Sequence, residues 1–317
     1  MSRFSKIQES LRKFNQSHLL NFWDELSESQ REQLMDDIEK VNLDEISIVA
    51  EKLNNSKDTE RKKIEPVPYE VLNNISDMKI KEYQQSGMKI IKKGKVAAVL
   101  LAGGQGTRLG HNGPKGTYDI GLPTHESLFE LQAKRFLQIY KQTGNMIPWY
   151  IMTSPINDKE TREFFNQHNY FGYDPELITF FIQPTAPTLT PDGKLMLKSK
   201  SSLSLSPNGN GGVFSALNSS GAIADMDNRG IKWIFMYNVD NAVIKIADPV
   251  FVGFAEEKNS PIASKSVAKR NPQEKVGVLC LKDGRPSVIE YSEMTKEECE
   301  HPEMTNANIG IETSRND

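Results

Sequence analysis

The apolar run Val96 to Leu101 leads straight into Ala102-Gly103-Gly104-Gln105-Gly106-Thr107-Arg108-Leu109-Gly110, and Gly113-Pro114-Lys115-Gly116 follows a few residues later. Glycines lack a Cβ, so phosphate oxygens can approach the backbone N–H groups of such a loop, while Arg108 offers a planar, permanently charged fork matched to those oxygens. Lys115 puts a second fixed cation in the same loop system. The chemistry these residues suit is the binding of a polyphosphate. Tight turns at strand ends also use glycine for steric reasons alone, so the loop by itself leaves both readings open.

Two common phosphate-binding fingerprints are absent. Gly104, Gly106 and Gly110 are spaced one residue too wide for the dinucleotide pattern G-x-G-x-x-G, and Lys115-Gly116-Thr117 lacks the Gly-Lys-Ser/Thr of a P-loop. Hydride transfer and P-loop ATPase activity are therefore disfavoured. A second constellation, Asn238-Val239-Asp240-Asn241, follows the apolar run Trp233 to Tyr237. A carboxylate at a strand end can hold a Mg²⁺ that also touches phosphate oxygens, although Asp240 fits a turn position equally well.

The elements that must position these groups read as alternating strands and helices. Strands are predicted at Val96 to Leu101, Trp149 to Thr153, Leu177 to Gln183 and Trp233 to Val239; helices are predicted at Ser127 to Thr143, Asn157 to His168, Val213 to Ala224 and Pro249 to Glu257. Strands separated by helices of this length imply right-handed crossovers and an α/β fold with a doubly wound, mainly parallel, Rossmann-like sheet. The glycine loop then sits at the carboxyl edge of the first strand, where open sheets bind ligands. Residues 1–93, charged and apolar at helical intervals, read as an N-terminal helical region, and residues 94–317 as the sheet-bearing core. Pro184 to Ser206 breaks the rhythm and is expected to be a functional flap or a hairpin excursion.

A formal charge of −3 over 317 residues sets up no global field to attract nucleic acid or an anionic membrane, and no stretch supplies the run of about 20 apolar residues that a spanning helix needs. A cytoplasmic protein is the default expectation. Cys280 and Cys299 form neither a disulfide framework nor a zinc pattern, and the five histidines are not paired at metal-ligand spacing. Oligomeric state is not determined by any of this.

The string LAGGQGTRLGHNGPKG resembles the signature of the sugar-nucleotide pyrophosphorylases, and its Gln105 and Pro-Lys-Gly spelling is similar to the UDP-sugar branch, in particular the eukaryotic-type UDP-N-acetylhexosamine pyrophosphorylases. Ser206-Pro207-Asn208-Gly209-Asn210-Gly211-Gly212 resembles that family's A-P-D-G-N-G-G, with Asn208 where Asp is usual. Val276-Gly277-Val278, the segment Val288 to Glu293 and the N-terminal Gln16 to Leu20 also resemble family segments, so the likeness runs from about residue 14 to 295.

The resemblance implies a nucleotidyltransferase that makes UDP-N-acetylglucosamine and pyrophosphate from UTP and N-acetylglucosamine 1-phosphate with Mg²⁺ or Mn²⁺. It casts Arg108 and Lys115 as catalytic cations. Leu101, Ala102, Gly103, Gly104, Gln183, Pro207 and Gly209 are then nucleotide-binding, with Gln183 reading the uracil edge. Asn210, Asn238, Gly277, Glu290 and Asn308 fall on the sugar, and Asp240 on the metal. Gln183 and Glu290 are otherwise ordinary strand-end polar residues.

Beyond Glu293 the match weakens: Thr305 to Ile309 only approximates the family's N-A-G-N-I, and the relatives continue well past Asp317. A core incomplete at its C-terminal end is therefore expected, with the polar end GIETSRND too poor in apolar residues to replace missing strands. Two other readings follow from that: a non-catalytic uridine-nucleotide binding protein, and a pyrophosphorylase for another sugar 1-phosphate.

Overall fold

The computed structural model describes residues 2–55, 62–304 and 306–315. Its contacts divide into two units, one comprising Met1–Arg61 and Pro184–Asn208, the other Lys62–Gln183 and Gly209–Asp317. Residues 62–93, read from sequence with the helical region, thus belong to the sheet-bearing unit, because the helix Asp77–Lys92 packs along the helix Pro249–Glu257. At that crossing a Cβ on Gly87 would lie 1.9 Å from the Pro249 carbonyl oxygen, and one on Gly253 would lie 1.9 Å from that of Tyr83. Only glycine at both positions lets the two backbones approach so closely.

Among the described residues the large unit holds a nine-stranded sheet. In chain order its strands are β1 (Ile64–Pro66), β2 (Val96–Leu101), β3 (Trp149–Thr153), β4 (Ile178–Ile182), β5 (Trp233–Asn238), β6 (Ile262–Ala268), β7 (Val278–Lys282), β8 (Arg285–Ile289) and β9 (Asn306–Arg315). They are arranged β1-β7-β9-β5-β2-β3-β4, with β6 on β9 and β8 on β7. The group β5-β2-β3-β4 is parallel throughout, and the remainder is antiparallel. Strands β2 and β3 are buried on both faces, as their unbroken apolar runs require. Alternate residues serve two cores: Val96, Ala98 and Leu100 pack with Phe129, Phe136 and Val252 on one side, Ala97 and Val99 with Val213 and Leu217 on the other. That is the doubly wound arrangement.

Sequence boundaries and structure agree closely for β2, β3 and the helix Pro249–Glu257. The single helix expected over Val213 to Ala224 is two helices, Val213–Ser219 and Ala222–Asn228, broken at Gly221 with φ +79°. The polar C-terminal segment, expected to leave the sheet short, instead forms β9 in its interior, paired with β5 from Ile311↔Tyr237 to Arg315↔Trp233. Backbone pairing needs N–H and C=O groups rather than apolar side chains, so composition misled here.

The small unit joins the helices Arg3–Lys13, Glu28–Glu39 and Leu43–Asn55 to the excursion 184–208, where Thr185–Pro187 pairs with Leu205–Pro207 and Leu197–Ser199 with Ser202–Leu203. Leu195 and Leu203 complete its core with Leu11, Leu19 and Leu34. Buried Gln16 holds the excursion by donating from Nε2 to the Gly193 carbonyl at 3.1 Å and accepting from Leu195 N–H at 2.9 Å. Among the described residues no helix is long and apolar enough to cross a membrane.

Candidate functional site

The carboxyl ends of β2, β3, β4 and β5 lie side by side in parallel register, with Leu101 paired to Met152 on one side and to Asn238 on the other. Above them opens a cavity of about 250 Å³. Leu101, Gly103 and Gly104 line it from the end of β2, Asn238 and Asp240 from the end of β5, and Gln183 from the end of β4. Lys115 reaches it from the loop that follows β2.

That loop folds back as a hairpin. Gly106 N–H donates to the Gly113 carbonyl at 2.9 Å and Lys115 N–H to the Gly104 carbonyl at 3.1 Å, which returns Lys115 to the base of the loop. Gly116 is then pressed on Phe129: a Cβ there would lie 2.1 Å from the ring. Lys115 Nζ stands 3.0 Å from Asp240 Oδ2. Arg108 lies at the hairpin tip in the turn Thr107–Leu109, exposed, outside the cavity and without an ion-pair partner among the described residues.

Gln183 is buried; its Nε2 donates to the Gly209 carbonyl at 2.9 Å, and its Oε1 lies over Gly103, where a Cβ would come within 2.6 Å. Glycine at 103 therefore makes room for the carboxamide. Ala102 is fully buried beneath the loop. Gly209 has φ +68° just before the turn Asn210–Gly212. Pro207 belongs to the small unit, at the end of the strand Leu205–Pro207.

The residues assigned to the sugar divide. Asn238 lines the cavity, whereas Gly277 and Glu290 do not. They stand together at the β7–β8 hairpin: a Cβ on Gly277 would lie 3.1 Å from Glu290 Oε1. The side chains of Asn210 and Asn308 lie outside the described residues; the backbone of Asn308 runs in β9, opposite Ser266.

Three residues that sequence reasoning passed over organise this site. Fully buried Asn157 donates from Nδ2 to the carbonyls of Ala102 at 2.9 Å and Gly104 at 3.3 Å. Gln132, also buried, donates to the Val239 carbonyl at 3.2 Å, and Arg135 donates from Nη2 to the Ala242 carbonyl, so the helix Leu128–Thr143 grips the turn on both sides of Asp240. Burial lowers the pKa of Arg135 from the usual guanidinium value, with Tyr237 opposing the shift. A signal existed: Gln132 interrupts the apolar face formed by Phe129, Ala133 and Phe136, and a polar residue there needs a partner.

Among the described residues no three carboxylate, histidine or cysteine groups converge as a metal cage. A wider cleft, about 330 Å³ and lined by Arg162, Tyr170 and Phe180, has its cation engaged already, since Arg162 pairs with Asp158 at 2.8 Å and donates to the Phe180 carbonyl. Lys115, Gln183 and Asp240 gather instead at the smaller cavity.

The family described as UTP--glucose-1-phosphate uridylyltransferase matches residues 44–309. The chain is 43% identical over 298 residues to the UDP-N-acetylglucosamine pyrophosphorylase of Saccharomyces cerevisiae, covering 89% of this chain and 62% of the relative. It is 41% identical over 305 residues to UDP-N-acetylglucosamine diphosphorylase 2 of Arabidopsis thaliana, covering 91% and 61%. The crystal structure of the Trypanosoma brucei uridine diphosphate N-acetylglucosamine pyrophosphorylase in complex with inhibitor superposes with a TM-score of 0.81 at 29% identity, covering 100% of this chain and 67% of that one. The chain spans about six-tenths of the length of the curated relatives it matches.

Proposed function

The chain belongs to the UTP--glucose-1-phosphate uridylyltransferase family, and on that premise we propose that it converts UTP and N-acetylglucosamine 1-phosphate into UDP-N-acetylglucosamine and pyrophosphate. The observation that carries this reading is the convergence of Gly103, Gly104, Gln183, Lys115 and Asp240 on one cavity at the parallel strand ends. The choice of an N-acetylated sugar rests on the names of the relatives.

An oxygen of the sugar phosphate attacks the α-phosphorus of UTP in line, and the bond to the β-phosphate breaks to release pyrophosphate. Such a transfer asks the protein for alignment and for cations that offset the repulsion of two anions. In this reading Gln183 presents its carboxamide to the uracil edge, and the N–H groups around Gly103 and Gly104 receive phosphate oxygens. Lys115 holds charge beside the reacting phosphate, and Arg108 swings in from the hairpin tip to the departing pyrophosphate. Gly209 and Asn210 close on the nucleotide and sugar, with Asn238, Gly277, Glu290 and Asn308 around the hexosamine.

A single half-exposed carboxylate, Asp240, suits a Mg²⁺ or Mn²⁺ that takes its other ligands from phosphates and water. Bound there, the ion would neutralise phosphate charge. A cytoplasmic location belongs to the same proposal, supported by two free thiols, Cys280 and Cys299, as in a reducing compartment.

The place of Arg108, Gly277 and Glu290 outside the cavity favours a second reading, uridine-nucleotide binding without transfer. Pyrophosphate release from UTP, Mg²⁺ and N-acetylglucosamine 1-phosphate, measured beside UTP titration on the same sample, separates the two. Release supports the transferase; binding without release selects the binder. Glucose and galactose 1-phosphates run in parallel test the sugar.

A further inference from the structure

The glycine loop lines the cavity, yet the side chain that sets its peptide planes comes from another element, 53 residues away at the start of the helix Asp158–Gln167. Asn157 is fully buried, and its side-chain hydrogen bonds all bear on this corner. Its Oδ1 accepts from Ser154 N–H at 2.8 Å and from the Ser154 hydroxyl at 3.0 Å, which fixes the amide's orientation. Its Nδ2 therefore points the other way, donating to the Ala102 carbonyl at 2.9 Å and the Gly104 carbonyl at 3.3 Å.

A trans peptide holds its C=O and N–H antiparallel. With the carbonyls of Ala102 and Gly104 drawn to Asn157, the N–H groups of the same two peptides, those of Gly103 and Gln105, are turned away from it. Neither has a protein acceptor among the described residues. They are donors left over for an anion, and Gly103 stands on the cavity wall. Were the planes free to flip, carbonyl oxygens would face the incoming phosphates and repel them.

We propose that Asn157 is a positioning residue for nucleotide binding, which holds the Ala102 and Gly104 carbonyls back so that the loop presents N–H groups to the phosphates of a nucleoside triphosphate. The inference rests on the uridylyl-transfer reading for the identity of that ligand.

The test is Asn157→Asp in the full chain. This near-isosteric change keeps the acceptor facing Ser154 and replaces the donor facing the loop with an anionic oxygen. Two quantities are read: UTP affinity by titration, and amide exchange at Ala102 and Lys115, whose N–H groups donate to the Met152 and Gly104 carbonyls. Faster exchange at both amides together with at least tenfold weaker UTP binding is the expected result. Unchanged UTP affinity in the folded variant overturns the proposal, whatever the exchange does. Should Asn157→Asp fail to fold, Asn157→Thr, which keeps one hydroxyl donor, is measured instead. At least threefold weaker UTP binding there is expected, and wild-type affinity overturns it. If the unaltered chain binds no UTP, the uridylyl reading falls and exchange alone decides: faster exchange supports the loop role, unchanged exchange overturns it.

Discussion

Lys115 and Asp240, 125 residues apart in the chain, meet at 3.0 Å across the cavity mouth, the ammonium at Nζ against the carboxylate at Oδ2. The carboxylate is 56% exposed and the lysine 24%. An ion pair this open is worth little, typically about 0–1 kcal/mol. In the proposed transfer, a triphosphate would draw Lys115 off this weak pair and leave Asp240 to the divalent ion.

Lys115→Ala should lower the rate of pyrophosphate release by on the order of 10²–10³-fold, as loss of a single well-placed electrostatic group does elsewhere. Retention of full turnover would remove Lys115 from the mechanism. The same change should tighten Mn²⁺ binding to the nucleotide-free chain, since Asp240 loses its competing cation; paramagnetic resonance of added Mn²⁺ reads this directly.

Asp240→Asn should raise the Mg²⁺ concentration needed for half-maximal turnover while leaving metal-free UTP binding within about twofold, a difference of roughly 0.4 kcal/mol. Equal Mg²⁺ dependence in variant and parent would show that the ion is held elsewhere.

Gly103→Ala places a Cβ 2.6 Å from Gln183 Oε1 and so displaces the carboxamide. UTP binding should weaken about tenfold, roughly 1.4 kcal/mol, with preference over CTP reduced. Because both changes act on one group, Gly103→Ala added to Gln183→Ala should cost less than the sum of the two singles. Strict additivity in the titrations would contradict the shared role.

Gln132→Leu leaves the Val239 carbonyl without its donor in a buried setting. A stability loss of about 1–3 kcal/mol is expected from denaturant unfolding. An unchanged midpoint would mean that the turn carrying Asp240 is secured without this helix.

Gly87→Ala tests the helix crossing, where the new methyl would meet the Pro249 carbonyl. Overpacking should destabilise the chain by about 1–3 kcal/mol. Thermal unfolding at parental temperature would indicate that the two helices part without cost.

Much of this was legible in the sequence because it is local. An unbroken run such as Val96–Leu101 is buried on both faces wherever it sits, and a glycine string after it makes a tight, Cβ-free loop whatever surrounds it. The alternation of such strands with amphipathic helices specified the doubly wound architecture, and matching motifs pointed to the family. Tertiary structure decided what depends on strand order. Asp240 meets Lys115 because β5 is the parallel neighbour of β2, a fact no window of residues contains. It also decided that a polar C-terminal segment runs through the sheet as β9, since backbone groups make that pairing. And it decided that Asn157, an unremarkable helix-start residue in sequence, is fully buried against the carbonyls of Ala102 and Gly104, because a hydrogen bond acts across whatever chain separation the fold brings within about 3 Å.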